Sequence, residues 1–229
     1  MRKIMVANPK GGCGKSTLSV HIASWFARHD EIVYLGDLDR QQSSRHWLEA
    51  RPDNLSPILH WDISGDDFHL PPKHCNFAIL DTPAGLHGKR LKDALNIVDK
   101  VVVPVSASRF DMLATREFFE ELSATKAVRK ERVDIGIVGM RIDVRTHAYA
   151  QLLEFLKEFH LPMVTCIAQS QRYLQAADTG VTLFDSGAST AIDIQWRPLL
   201  NWLVSRHLAS GLLGFHDRNN QETDHHDSR

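Results

Sequence analysis

The 229-residue chain reads as a doubly wound α/β protein, with a mostly parallel twisted sheet covered by helices on both faces. Three observations carry that expectation. Six short apolar runs recur along the chain, nearly continuous in the way buried parallel strands are. Stretches of helical length separate them. The first run also leads straight into a glycine-rich turn that opens an apolar-periodic segment.

In order, the strands are expected at 3–8 (KIMVAN), 32–37 (IVYLGD), 77–81 (FAILD), 101–105 (VVVPV), 134–139 (DIGIVG) and 163–167 (MVTCI). Helices are expected at 15–28, 42–50, 90–97, 111–124, 146–159, 171–178 and 190–208. In the first of them Leu18, Ile22 and Phe26 recur at i, i+4 and i+8, one face of a helix. A hydrophobic content of 43% is enough for one core, so a single domain is expected over 1–212. Residues 213–229, which end in HDRNNQETDHHDSR, are polar and without periodicity and are expected to form a disordered tail.

Composition narrows the function classes. Lys and Arg total 27 against 28 Asp and Glu, a net charge of −1, so a nucleic-acid surface would have to be a local patch. Cys13, Cys75 and Cys166 are far apart and lack C-x-x-C spacing, which argues against a disulfide framework, a zinc site or a paired-cysteine cluster and for a reducing cytoplasm. The 13 histidines are dispersed or, like His225 and His226, in the tail, and read as surface residues. MRKIMVANPK leaves no room for a signal peptide, and no apolar run is long enough to span a membrane.

The chemistry concentrates in NPKGGCGKST, Asn8 to Thr17. A strand, a glycine-rich turn and a helix starting at Lys15 gather the backbone N–H groups of Gly11, Gly12, Cys13 and Gly14 and a helix dipole around the β- and γ-phosphates of a nucleotide. Lys15 would reach those phosphates and the Ser16 hydroxyl would ligate Mg²⁺, with Thr17 beside it. Pro9 stands where the usual pattern has its first glycine, and Lys10 is a second cation in the same loop. Asp81 closes an apolar strand, placed to hold Mg²⁺ through water. Asp37 and Asp39, two apart at another strand end, can both face the phosphate position.

NPKGGCGKST, YLGDLDRQQSS, FAILDTPAG and VVVPVSASRFDMLAT stand in the order and spacing of the ParA/MinD family of deviant Walker ATPases, which the chain resembles over about its first 205 residues. The resemblance implies an ATP hydrolase of slow intrinsic turnover, with ATP and Mg²⁺ as cofactors. It implies that two copies close face to face over two ATP molecules, with Lys10 of each reaching the other's phosphates. It assigns Asp39 to orienting the attacking water and Asp37 to the neighbouring metal and water network. A triphosphate carries several negative charges, so a second cation arriving only in the dimer would make ATP the glue. Where the family usually has Pro, this chain has Arg40, favoured as a surface residue. Where relatives carry Asn-Arg on the adenine side, it has Met140 and Arg141; the later segment keeps Arg172 and Tyr173 but has Ala168 and Ser170, leaving Met140, Arg141 and Gln169 as the adenine-side set.

The resemblance further implies nonspecific double-stranded DNA as a track and a cargo-bound adaptor of ParB or McdB kind that stimulates hydrolysis, with the protein cytoplasmic and nucleoid-associated in its ATP state. The cargo would be a plasmid, a chromosome or a protein body such as a carboxysome. Lys126, Arg129, Lys130 and Arg132 of TKAVRKER, with Arg145, Arg197 and Arg206, are the phosphate-contacting candidates, although TKAVRKER reads equally as a solvated basic face. A MinD-like membrane cycle is the minority reading, since PLLNWLVSRHLASGLLGF carries a single Arg, and a cellulose-synthesis accessory ATPase is a further alternative.

Overall fold

A computed structural model describes residues 1–63, 69–187 and 190–205. Seven parallel strands form one sheet: β1 (Arg2–Val6), β2 (Val33–Asp37), β3 (Leu59–His60), β4 (Phe77–Asp81), β5 (Lys100–Val105), β6 (Asp134–Met140) and β7 (Met163–Ile167). Their order is β3-β2-β4-β1-β5-β6-β7. The helices are α1 (Lys15–Ala27), α2 (Ser43–Glu49), α3 (Gly88–Ile97), α4 (Arg109–Ala124), α5 (Lys126–Arg129), α6 (His147–Lys157), α7 (Arg172–Ala177) and α8 (Thr190–Val204). The doubly wound parallel fold is therefore as the sequence predicts, with one strand added. β3 has two exposed residues at the sheet edge and no apolar run to announce it. The short α5 is likewise new, the first strand ends two residues early at Val6, and the expected helix over 190–208 can be followed to Val204. Arg206 and the expected tail lie outside the described residues.

Strand geometry explains the two cores. Successive side chains point to opposite faces. Ile4, Val6, Ile79 and Val102 therefore pack with Leu18, Ile22 and Phe26 of α1, Trp47 of α2 and Trp196, Leu199 and Leu203 of α8. Met5, Leu80, Val101 and Val103 face the other way, against Leu91 and Leu95 of α3, Phe118 and Phe119 of α4 and Leu152 and Leu156 of α6. Pro104 is tolerated in a central strand because it lies past the stretch of β5 that pairs with β1. Its carbonyl instead accepts the Asn8 side-chain amide at 2.8 Å, which anchors the start of the glycine-rich loop.

A clamp fixes the far side of α1. The Arg51 guanidinium grips Asp185 through two bonds of 3.0 Å, with both side chains almost wholly buried. Asp185 also accepts from Ser24 of α1 at 3.0 Å and from Thr182. Gly180 crosses so close to Ala50 that a β-carbon would lie 2.4 Å from its backbone, so no other residue fits there.

Candidate functional site

Strand pairing alone brings the main groups together. β1 and β4 are neighbours with Val6 opposite Asp81, so the chain leaves β1 into the glycine-rich loop beside the acid that ends β4. β2 runs along the other side of β4, with Asp37 opposite Asp81. All three exits lie at the carboxyl edge of the sheet, next to the point where the chain reverses its winding direction, which is where such sheets bind ligands.

The loop is shaped by its own contacts. The Asn8 carboxamide oxygen accepts the Lys10 N–H at 2.8 Å. Gly14 has φ 100°, left-handed, the conformation that selects glycine there, and the end of the flexible Met140 side chain lies close over it. Arg141, itself left-handed at φ 57°, donates its guanidinium to the Gly12 carbonyl. Holding that carbonyl turns the Cys13 N–H to the opposite side of the trans peptide. The Lys15 ammonium folds back on the Lys10 carbonyl at 2.8 Å, and the first N–H groups of α1 have no partner within the helix.

A cleft of about 1180 Å³ opens over this loop. Its walls include Gly11, Gly12, Gly14, Lys15, Ser16, Thr17, Asp39, Met140, Arg141 and Gln169, so it gathers most of the phosphate set and the whole adenine-side set. Ala168, Ser170 and Tyr173 line it too, with the Tyr173 hydroxyl accepting the Trp196 indole N–H at 2.9 Å. Arg40 is exposed, as favoured, but stands on the lip of the cleft beside Lys89 and Arg90, whose presence there no motif announced.

Asp81 lies just beneath. Burial pushes its carboxyl up to about 6, against the opposing pull of the Ser16 and Ser44 hydroxyls and of the Lys15 charge, while Asp37 adds to the rise. The Ser44 hydroxyl donates to its Oδ2, and its Oδ1 is buried without a hydrogen-bond partner in the protein. An orphaned anionic oxygen next to the Ser16 hydroxyl is a donor set suited to a hard divalent cation such as Mg²⁺, held directly or through water.

Two predicted side chains, Asp37 and Lys10, have other placements, while Cys13, expected to offer only its backbone N–H, keeps its thiol out of the cleft. The Asp37 carboxylate takes the N–H of Asp39 at 2.8 Å, of Ser44 at 2.9 Å and of Arg45 at 3.3 Å, so it braces the start of α2. Cys13 is buried under the loop, its thiol donating to the Lys10 carbonyl at 3.2 Å, and burial pushes that thiol up. Lys10 makes an ion pair with Asp111 in the first turn of α4.

The basic candidates do not share one end of the sheet. Lys126 and Arg129 lie on α5 and Lys130 caps it, before β6, whereas Arg145 follows β6, a strand about 20 Å long. Arg145 is moreover paired with Asp143 at 2.9 and 2.7 Å. Arg197 is exposed on α8.

Ser44, Asn8 and Asp111 were not foreseeable as site residues. Each is a common polar residue whose role comes from a partner 37 to 107 positions away. Gln171 and Leu174, which also line the cleft from the turn before α7 and from α7 itself, were within reach, since strand ends in such sheets face the ligand.

This glycine-rich loop at the carboxyl edge of a parallel sheet makes the protein a P-loop nucleotide-binding domain. Residues 4–183 match the family described as the CobQ/CobB/MinD/ParA nucleotide binding domain, and the chain belongs to that family, as an ATPase of ParA/MinD type. It is 25% identical over 192 residues to the maintenance of carboxysome distribution protein A of Halothiobacillus neapolitanus, covering 81% of this chain and 88% of that one. It is 26% identical over 244 residues to the chromosome-partitioning ATPase Soj of Thermus thermophilus, covering 90% and 96%. Among solved structures, apo McdA of Cyanothece superposes with a TM-score of 0.70 at 15% identity, over 90% of this chain and 100% of that one, a likeness of fold. No helix among the described residues is long and apolar enough to cross a membrane.

Proposed function

We propose that this protein is a Mg²⁺-dependent positioning ATPase that closes into a dimer over ATP, binds duplex DNA without sequence preference in that state, and is released when an adaptor on its cargo stimulates hydrolysis. The observation that carries the reading is the divergence of the two loop lysines. Lys15 is buried within the cleft wall, where it would serve the chain's own nucleotide, while Lys10 of the same loop is partly exposed and paired with Asp111 on α4, which would leave it to a second copy. One nucleotide would then meet one cation from each copy.

Within one chain the residues have separable tasks. The loop N–H groups, the α1 dipole and Lys15 bind and orient the β- and γ-phosphates. Ser16 and Asp81 would hold Mg²⁺, which, when bound, neutralises charge developing on the phosphate oxygens. Asp39 stands in the cleft wall, at the end of the turn braced by Asp37, and would orient the attacking water. Met140, Arg141 and Gln169 would border the base. Relatives that maintain carboxysome distribution or partition chromosomes support a cargo of either kind, through an adaptor of McdB or ParB type, in a cytoplasmic, nucleoid-associated protein.

The decisive experiment measures binding of arbitrary duplex DNA by Asp39→Ala, a variant expected to hold the ATP dimer, in ATP, in ADP and without nucleotide over a salt series. Binding should appear only with ATP, fall steeply with salt as phosphate contacts do, and disappear in the Lys10→Ala, Asp39→Ala double variant. An ATP dimer that ignores DNA would overturn the track and leave liposomes or a protein scaffold as the surface to test.

A further inference from the structure

We propose that Ser44 is a positioning residue for the metal site: its hydroxyl fixes the rotation of the Asp81 carboxylate, so that one oxygen is always presented to the cation. The inference rests on the reading of this cleft as a Mg²⁺-nucleotide site.

Ser44 is the second residue of α2 and is completely buried. Its hydroxyl donates to Asp81 Oδ2. Its backbone N–H donates to Asp37 Oδ2 at 2.9 Å, so the residue that grips Asp81 is itself gripped from the neighbouring strand. Asp37 and Asp81 are register partners on β2 and β4, and the other oxygen of Asp37 holds the Asp39 N–H at 2.8 Å. A short closed circuit results, running from the metal acid through Ser44 and Asp37 to the residue placed for the attacking water.

A buried carboxylate with both oxygens unpinned can turn about its last bond and share its charge between two directions. With Oδ2 capped by a hydroxyl donor, the unpartnered Oδ1 is left as the oxygen with free lone pairs, and the donor's own anchoring determines where it lies. Outer partners that orient ligand carboxylates typically change metal affinity about 10-fold or more when removed. The Ser44 hydroxyl also reaches a position that glycine-rich loop chemistry alone does not supply, because it comes from α2, the helix that follows Asp39.

A merely structural serine would relieve the buried acid and do nothing more. The two roles separate in a titration of Mg²⁺ against protein and a non-hydrolysable ATP analogue, read as the free Mg²⁺ giving half-maximal analogue binding, alongside analogue affinity in EDTA. For Ser44→Ala the midpoint should rise about 10-fold, with the affinity in EDTA unchanged. An unchanged midpoint in a folded Ser44→Ala overturns the proposal, as does an equal loss of affinity in EDTA. If Ser44→Ala does not fold, Ser44→Cys takes the same measurement, with the weaker thiol donor expected to shift the midpoint in the same direction. A wild-type protein whose analogue binding ignores Mg²⁺ would instead refute the metal-site reading itself.

Discussion

The Lys10 ammonium is paired with the Asp111 carboxylate, 101 residues away in sequence, so the cation expected to act on a second copy is held by its own chain at the head of α4. Asp111 sits in the first turn of that helix, its N–H accepted by the Ser108 hydroxyl at 3.1 Å, which fixes where the carboxylate stands. Any reach of Lys10 across a dimer must first leave this partner.

Freeing the lysine should therefore favour the dimer. The Lys10 side chain is 39% exposed, so the ion pair is screened and its strength is modest, about 0.2–1 kcal/mol. Asp111→Asn should lower the protein concentration at which ATP drives dimerisation by up to about fivefold, read by sedimentation. Lys10→Ala should abolish the ATP-dependent dimer while leaving nucleotide binding to the monomer intact.

Among the described residues Asp39 has no hydrogen bond to the glycine-rich loop, and its Oδ1 accepts the local Gln41 N–H at 3.0 Å. Asp39→Ala should thus retain ATP and lose turnover by about 100-fold, the scale that a misplaced water commonly costs. Comparison of nucleotide retention on a filter with phosphate release checks it.

The buried Asp81 carboxylate is a burden on stability. The folded-state value of Asp81 is raised to about 6, so between about 4 and 6 the folded chain binds a proton that the unfolded chain does not. That contribution is fully present at low pH and is lost as pH rises through 6. Asp81→Asn should raise the nucleotide-free melting temperature on the order of 5 °C at pH 8, with little effect at pH 4, while removing the Mg²⁺ dependence of nucleotide binding.

His21, which the sequence led one to expect at the surface, is instead buried among aromatic side chains and acts in the opposite direction. Burial pushes it down to about 4; its Nδ1 is 2.8 Å from the Thr17 carbonyl, its Nε2 is 3.4 Å from the Leu183 N–H, and its ring stacks on Trp196 at 5.2 Å. Neutral imidazole protonated on Nδ1 satisfies both contacts. As pH falls from 6.5 toward 4 the unfolded chain takes up a proton that the folded one refuses, so stability falls. At pH 5 the penalty is about 2 kcal/mol relative to pH 7. Urea unfolding of His21→Asn should show a pH 5 to pH 7 difference smaller by about that amount.

The Arg51–Asp185 pair is nearly dry, so breaking it strands a charge. Asp185→Ala should cost about 3–5 kcal/mol, visible in the urea midpoint. The loss should exceed that of any exposed pair, such as Lys157 with Glu154.

What the sequence made legible follows from how local each signal is. β1, the loop and α1 are contiguous and the Asp81 strand is one unbroken apolar run, so their periodicity and residue types announce both structure and chemistry within the first 81 positions. β3 escaped because two edge residues, with Leu59 exposed, carry no pattern. Asp37 looked like a cleft acid from its spacing to Asp39, and only the turn into α2 reveals that its oxygens are taken by backbone N–H groups. Ser44 and Asp111 acquire meaning from strands and helices folded against them, which no local window contains. The basic run at 126–132 was visible as charge, but its distance from Arg145 depends on β6 running between them.

The pairing of Val6 with Asp81 has one more consequence. The groups proposed to hold phosphate and metal issue from two touching central strands, held by backbone bonds on both sides, while Lys10, Asp39, Arg40 and Asp111 ride on turns and helix ends around them. A lineage can therefore rewrite who its partner is, and how quickly it lets go, by editing the periphery, and still inherit an intact fuel socket.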